Sequence, residues 1–250
     1  MQPLTKLGIP KLWGEDPERI WPFARLLTTP VTLLLAPSAG YGLDRVPLEG
    51  GGVVAANHFS GIDHPLIGSF CPRPIYFLAK VELMEMPVVG ELLSWIGTFP
   101  VRRGEADRDA LRRARGLVAE GRLVGVHIEG TRQRFGYPGQ VHTGGLMIAM
   151  QEGAPVIPCS VDTFRWSPAN RRRCAVVWGD PIDLSELPRN RSGYDRAAEI
   201  VHGEIVRLWR QAAEAAAAGL PSELPDGTKR YGPILRQWSP DRAEPSRVSH

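Results

Sequence analysis

His58 and Asp63 stand five positions apart in the run Asn57-His58-Phe59-Ser60-Gly61-Ile62-Asp63, directly after the apolar stretch Val53-Val54-Ala55-Ala56. An imidazole steadied by a carboxylate is a small device for taking a proton from an alcohol: the acid accepts from one ring nitrogen and leaves the other aimed at a substrate. The pair cannot share a face of a regular helix, because each residue advances about 100° and positions five apart point roughly 140° away from each other. The segment is therefore expected to be a turn at the mouth of a strand. Gly61 permits a tight bend, Pro65 suits an early position in a following helix, and Asp63 or Ser60 would cap that helix. A lone His with an Asp nearby is common, so the rest of the chain decides whether it means chemistry.

Three further segments carry suitable side chains. Gly97-Thr98-Phe99-Pro100-Val101-Arg102-Arg103-Gly104 sets two arginines beside a glycine where a helix is expected to begin. Backbone amides, guanidinium forks and the positive end of that helix could converge there on one anion. His127-Ile128-Glu129-Gly130-Thr131-Arg132 follows a strand at once. Sheets of this kind offer ligand sites outside the carboxyl ends of their strands, the rim expected for His58. Ala154-Pro155-Val156-Ile157-Pro158 brackets a strand with two prolines, which fits a rigid cleft wall or an ordinary strand boundary. Ser60 belongs to no Gly-x-Ser-x-Gly elbow, so it is not read as a covalent nucleophile. His64, His127 and His142 lack the paired spacing of a zinc site and read as rim or surface histidines; no metal or other cofactor is expected.

These segments need elements to hold them. Gly52 to Ala56, Pro74 to Ala79, Arg122 to Ile128, Pro155 to Val161 and Cys174 to Trp178 read as short buried strands. Glu105 to Glu120, Gly144 to Glu152 and Gly193 to Gly219 read as helices, the first two stopped by Gly121 and Gly153. The alternation predicts an α/β domain with a largely parallel central sheet flanked by helices. Three parts are expected: an N-terminal interfacial helical segment over 1–45, the main domain over 46–220, and a loosely held polar tail over 221–250.

Composition narrows the classes. With 43% hydrophobic residues in 250, the chain can build a substantial core. A formal net charge of +3 is too weak to argue for nucleic acid but suits an anionic surface or substrate. Cys71, Cys159 and Cys174 fit no metal or redox spacing and read as small core residues of a reducing compartment. No secretory signal is apparent, and prolines and glycines interrupt the longest uncharged run, so no membrane-spanning helix is expected. Ile20 to Ala36, with Trp21, Phe23, Arg19 and Arg25, has the composition of a helix lying in a membrane surface or of one packed on the protein's own core. Arg165 and Arg171 to Arg173 cluster around Trp166 with no acid between them, which suits a solvated loop or contact with anionic headgroups.

Taken together, the four segments resemble the glycerolipid acyltransferase family, of the lysophosphatidic acid acyltransferase type. Its members carry an Asn-His with an Asp after four intervening residues, a block ending in Arg-Gly, a Glu-Gly-Thr-Arg block and a Val-Ile-Pro block. The match runs from about Gly51 to Val161, with Ile128 where proline is usual and Gln133 where serine is common. The resemblance implies a glycerol-3-phosphate acyltransferase-like fold with an N-terminal helical membrane-interface motif. It implies an O-acyltransferase in which His58 is the general base and Asp63 orients it. Arg102, Arg103, Glu129, Gly130, Thr131 and Arg132 would bind the acceptor. The donor would be acyl-CoA or acyl carrier protein and the acceptor a lysophosphatidic acid-type alcohol, with direct transfer on the inner face of the cell membrane, where the protein is peripheral. A glycolipid or another lysophospholipid as acceptor, a thioester hydrolase, and a non-enzymatic lipid-binding scaffold are the alternatives. An oxyanion hole would draw on amides near Gly61 or in the Pro155 to Pro158 segment.

Overall fold

Val54 and Ala56 pack into one core cluster while Val53 and Ala55 pack into another, and all four are fully buried. That two-sided burial is why the strand reads as an unbroken apolar run: a parallel strand is covered on both faces. In the computed structural model, which describes residues 17–87, 90, 93–94, 97–102 and 107–234, this strand lies inside an eight-stranded sheet.

The strands are β1 (Ser38–Tyr41), β2 (Gly52–Ala56), β3 (Ile75–Lys80), β4 (Phe99–Val101), β5 (Leu123–His127), β6 (Val156–Val161), β7 (Cys174–Trp178) and β8 (Arg230–Tyr231). Their order across the sheet is β4-β3-β5-β2-β6-β7-β1-β8. Only β6 with β7 and β1 with β8 pair antiparallel; the other five pairs are parallel. The described helices are α1 (Pro17–Leu35), α2 (Asp63–Ser69), α3 (Val81–Met84), α4 (Arg108–Ala119), α5 (Gly144–Glu152) and α6 (Arg191–Ala217). The α2 residues Leu66 and Ile67 pack with Val54, Val176 and Trp178 on one face of the sheet, and α1 lies against α2. On the other face Ala114 of α4, Leu146 of α5 and Ile205 of α6 pack with Val53 and Val124. Gly125 of β5 meets a spatial demand here: a Cβ would come within 2.5 Å of the Phe77 ring on β3.

The five expected strands and the helix at α5 appear to within a residue, and the helix at α6 to within two. The helix expected from Glu105 begins at Arg108 among the described residues. β1, β4 and β8 were not anticipated, because two to four residues such as Ser38-Ala39-Gly40-Tyr41 carry too little pattern and take their conformation from the neighbouring strand. The sheet thus draws strands from the segments on both sides of 46–220. Residues 221–234, expected to be loose, are instead tied down: Leu224, Thr228 and Ile234 are buried, and the Ile234 N–H reaches the Ser69 carbonyl at 2.9 Å. The remainder of that tail, 235–250, lies outside the described residues.

α1 is fastened by polar groups on its inner face. Arg25 is buried, and its guanidinium donates to the carbonyls of Gly68, at 2.8 Å, and Cys71 at the carboxyl end of α2. Desolvation pulls its pKa down to about 10, yet it remains a cation where the helix end favours one. The opposite side of α1 is apolar and exposed: Phe23 to 58%, Leu26 to 54%, Leu27 to 72%, Val31 to 56% and Leu34 to 61%. Stepped at 100° per residue, these five positions fall on a single face.

Candidate active site

Three loops leave the carboxyl ends of three adjacent parallel strands: 57–62 after β2, 128–143 after β5 and 162–173 after β6. Asn57 ends β2 by bridging to β6. Its Nδ2 donates to the Val161 carbonyl at 2.9 Å and its Oδ1 accepts the Val161 N–H at 2.8 Å, so the side chain takes over where the ladder stops. The backbone then lifts His58 onto the rim, where the residue is 4% exposed.

The His58 ring donates from Nδ1 to Asp63 Oδ2 at 2.7 Å. The same carboxylate accepts the N–H groups of Phe59 at 2.8 Å and Ser60 at 2.9 Å, the Ser60 hydroxyl at 2.9 Å and the Thr163 hydroxyl. Burial alone would raise the Asp63 pKa. The hydrogen bonds from His58, Thr163 and Ser60 outweigh it and hold the group below its ordinary value. An ionised Asp63 fixes the proton on Nδ1 and so leaves Nε2 as the basic nitrogen. The turn was expected and is present, but neither proposed cap forms in the usual sense. Asp63 is the first residue of α2, Ile62 precedes it without a side-chain cap, and the carboxylate faces back into the turn. Four donors within the turn, and a fifth from Thr163, outbid the few free amides of a seven-residue helix.

Glu129 is buried against the same turn. Its Oε2 accepts the His58 N–H at 2.6 Å and its Oε1 accepts the Gly139 N–H at 2.9 Å. Burial pushes its pKa up to about 8 against the pull of those two amides. Both oxygens accept from backbone amides, so the group expected at the acceptor fastens one turn to the other. Two backbone bonds complete the joint, Gln133 N–H to the His58 carbonyl at 2.7 Å and Ile128 N–H to the Ala56 carbonyl at 3.0 Å. Gly130 turns at φ 65°, where a Cβ would come within 3.0 Å of the His142 ring. Thr131 and Arg132 are exposed. A Cβ built at Gly61 would stand 3.4 Å from Arg132 Nη2, so the guanidinium hangs over the His58–Asp63 turn.

Two of the three rim histidines are more deeply placed than expected. The His127 ring lies parallel to His58, centroids 3.9 Å apart and planes 12° apart, with Nδ1 bonded to the Asn57 carbonyl at 2.8 Å. His64 meets His127 edge-on at 4.5 Å. Both are half-buried, and only His142 is exposed. Among the described residues, no group of three metal-ligating side chains is positioned to hold an ion.

Arg102 is exposed at the carboxyl end of β4, on the same rim but three strands from β2. Arg103 lies outside the described residues. At the start of the next helix, where an anion cradle is expected, the described residues place a carboxylate. Asp107 caps α4, accepting the Ala110 N–H at 3.0 Å and the Arg102 N–H at 2.9 Å, so a carboxylate already sits at the positive helix end. Of the four Pro155 to Pro158 residues, two lack an N–H and Val156 gives its own to the Ile182 carbonyl. The segment therefore offers little to an oxyanion. Asn57, His127 and Thr163 are the contributors that sequence reasoning missed; each lies within one or two residues of a strand end on the rim, which was the available signal.

A family model described as Acyltransferase matches residues 39–162. A 1-acyl-sn-glycerol-3-phosphate acyltransferase of Bacillus subtilis is 30% identical over 158 residues, which are 59% of this chain and 76% of that protein. A lyso-ornithine lipid O-acyltransferase of Pseudomonas aeruginosa is 33% identical over 187 residues, 70% of each. The crystal structure of the 1-acyl-sn-glycerophosphate acyltransferase of Thermotoga maritima superposes with a TM-score of 0.62 at 22% identity, covering 77% of this chain and 80% of that one. That last likeness speaks to the fold.

Proposed function

This chain belongs to the acyltransferase family, and from that premise we propose that it moves a fatty acyl group from a thioester donor, acyl-CoA or acyl carrier protein, to the free hydroxyl of a lysophosphatidic acid-type glycerolipid. The observation that carries the reading is the His58–Asp63 pair, bonded at 2.7 Å, on the same rim as the Glu129–Arg132 turn. His58 Nε2 takes the acceptor proton as the alcohol oxygen attacks the thioester carbonyl. Asp63 holds the ring and balances the imidazolium that forms, and the thiolate of the donor then leaves with that proton. Base catalysis of this kind contributes about 10²- to 10⁴-fold, and the rest comes from holding two substrates together. The amides of Phe59 and Ser60 are already given to Asp63, which leaves Gly61 as the nearest candidate donor to the oxyanion. Arg132, beside Gly61, meets the acceptor's phosphate; Gly130 and Thr131 shape its glycerol side, with Arg102 further out along the rim, and Arg103 keeps the acceptor-binding role that the family resemblance implies.

The exposed apolar face of α1 supports a peripheral seat on a membrane, where both the acceptor and its product reside. No described helix is long and apolar enough to cross one.

Incubating the purified protein with one radiolabelled acyl thioester and a panel of lysolipids tests this. Labelled phosphatidic acid is the expected product. Release of free fatty acid at full rate without acceptor would make the protein a hydrolase and overturn the reading. A lyso-ornithine lipid belongs in the panel as the second reading, favoured by the 33% identity with the Pseudomonas aeruginosa protein over 70% of both chains.

A further inference from the structure

The β6–β7 loop, residues 162–173, links the candidate site to the helix that carries the exposed apolar face, α1. At its start the Thr163 hydroxyl donates to Asp63, and the Phe164 ring stands 6.0 Å from that of Phe59. At its far end the loop is bonded to the last turn of α1. Arg171 Nε donates to the Leu34 carbonyl at 2.7 Å and Trp166 Nε1 to the Leu35 carbonyl at 3.1 Å. Asn170 closes the loop on itself, donating to the Arg165 carbonyl at 2.6 Å and accepting the Ser167 N–H at 3.0 Å. Arg172 turns inward to Asp162 at 2.5 Å. Arg165, Arg171 and Arg173 are exposed, and no carboxylate among the described residues pairs with them. Next to this loop lies Phe135, 93% exposed, with Gly136 close against the Phe164 ring.

We propose that this loop is an anionic-headgroup sensor: Arg165, Arg171 and Arg173 bind the phosphates of acidic phospholipids while the apolar face of α1 and Phe135 enter the interface beside them. The inference rests on the membrane seat given above and adds to it the sign of the lipid and the residues that read it. Charge complementarity carries it. Three exposed guanidinium groups on one loop, with that of Arg171 hydrogen-bonded to the end of an apolar helix, match a surface with apolar depth and negative charge, and guanidinium forks suit phosphate oxygens. Because the loop's first residues touch Asp63, docking this surface turns the mouth of the site toward the bilayer, so that a lipid acceptor reaches His58 without leaving the interface.

The test uses the full chain and vesicles of phosphatidylcholine alone or with about a third phosphatidylglycerol, read by co-sedimentation. Binding to the acidic vesicles should be much tighter and fall steeply with salt. Arg165→Asn/Arg173→Gln, in which Asn tolerates the φ of 60° at 165, removes two charges. Its affinity for acidic vesicles should drop about 30-fold, at roughly fivefold per near-surface charge, with binding to neutral vesicles unchanged. Turnover on acceptor dispersed in neutral detergent should also be unchanged. That assay keeps the two readings apart: a wild type inactive in detergent indicts the enzyme assignment, not the sensor, whereas turnover lost only in the double variant gives the arginines to catalysis and overturns the sensor. Equal affinity for both vesicle types, or a double variant that binds acidic vesicles as the wild type does, overturns the proposal. A wild type that ignores both vesicles and dimerises through α1, with Leu27→Asp restoring the monomer, gives the face to a second copy and overturns it equally.

Discussion

The backbone N–H of His58 donates to Glu129 Oε2 at 2.6 Å, joining residues 71 positions apart. The carboxylate therefore sets the height of the His58 backbone above the sheet before any substrate arrives. Glu129→Gln retains one acceptor and turns an NH₂ toward the other backbone N–H. A buried donor is left unpaired, at a cost of about 1–3 kcal/mol.

The same group makes stability depend on pH. Burial raises the folded-state pKa of Glu129 from an ordinary 4.5 to about 8. Between those values the folded state binds more protons than the unfolded one, so its contribution is full below 4.5 and fades as pH rises through 8. Thermal unfolding at pH 5 and pH 9 should show a larger fall for wild type than for Glu129→Gln. Equal falls would mean that Glu129 is ionised throughout.

Asp63→Asn offers His58 an amide in place of a carboxylate. The ring can then present either tautomer, and the imidazolium loses its counter-charge. Turnover should fall by about 10² to 10⁴, as it should for His58→Ala, while KM for the acceptor changes little. If instead both variants raise KM at constant kcat, the pair binds substrate and the base lies elsewhere.

The geometry around these two residues shows how far the amino-acid order alone reached. His58 and Asp63 were recognisable because the turn is local, with all its donors except Thr163 within five residues. Glu129 was singled out, but its backbone partners were not legible, since its bonds depend on the pairing of β5 beside β2, Ala56 opposite His127. Thr163 and Asn57 act across β6, 100 and 104 positions from their partners, and no local spacing marks them. Buried apolar runs revealed the central strands, whereas β1, β4 and β8 exist only because a neighbour supplies the ladder.

Arg132 is exposed and close to Gly61, without a resolved ion-pair partner among the described residues. Its charge is thus available to a ligand. Arg132→Ala should raise KM for a phosphate-bearing acceptor by about tenfold or more, the size of a lost charged hydrogen bond of about 1.5–3 kcal/mol, with kcat reduced far less. Arg132→Lys should recover part of the affinity but not the forked geometry. Initial-rate kinetics with lysophosphatidic acid and with a phosphate-free lysolipid decide the matter: an equal rise for both would remove the phosphate from the role of Arg132.

Thr163 reaches the one carboxylate oxygen that His58 does not use, Oδ1, where the Ser60 hydroxyl also donates. It touches neither the ring nor any position open to substrate, so its effect must pass through Asp63. Thr163→Val keeps the shape and deletes the donor. With one lowering influence gone, the Asp63 pKa moves up, and the acid limb of the rate profile should shift to higher pH. The stability that a depressed carboxylate contributes is present above its unfolded pKa and lost as pH falls through the folded one, so acid unfolding should also begin at higher pH in this variant. Thr163→Ser restores the hydroxyl and should restore both limbs. A merely structural role would lower Tm at every pH and leave the profile in place; that result, or failure of Ser to rescue, removes Thr163 from the positioning of Asp63.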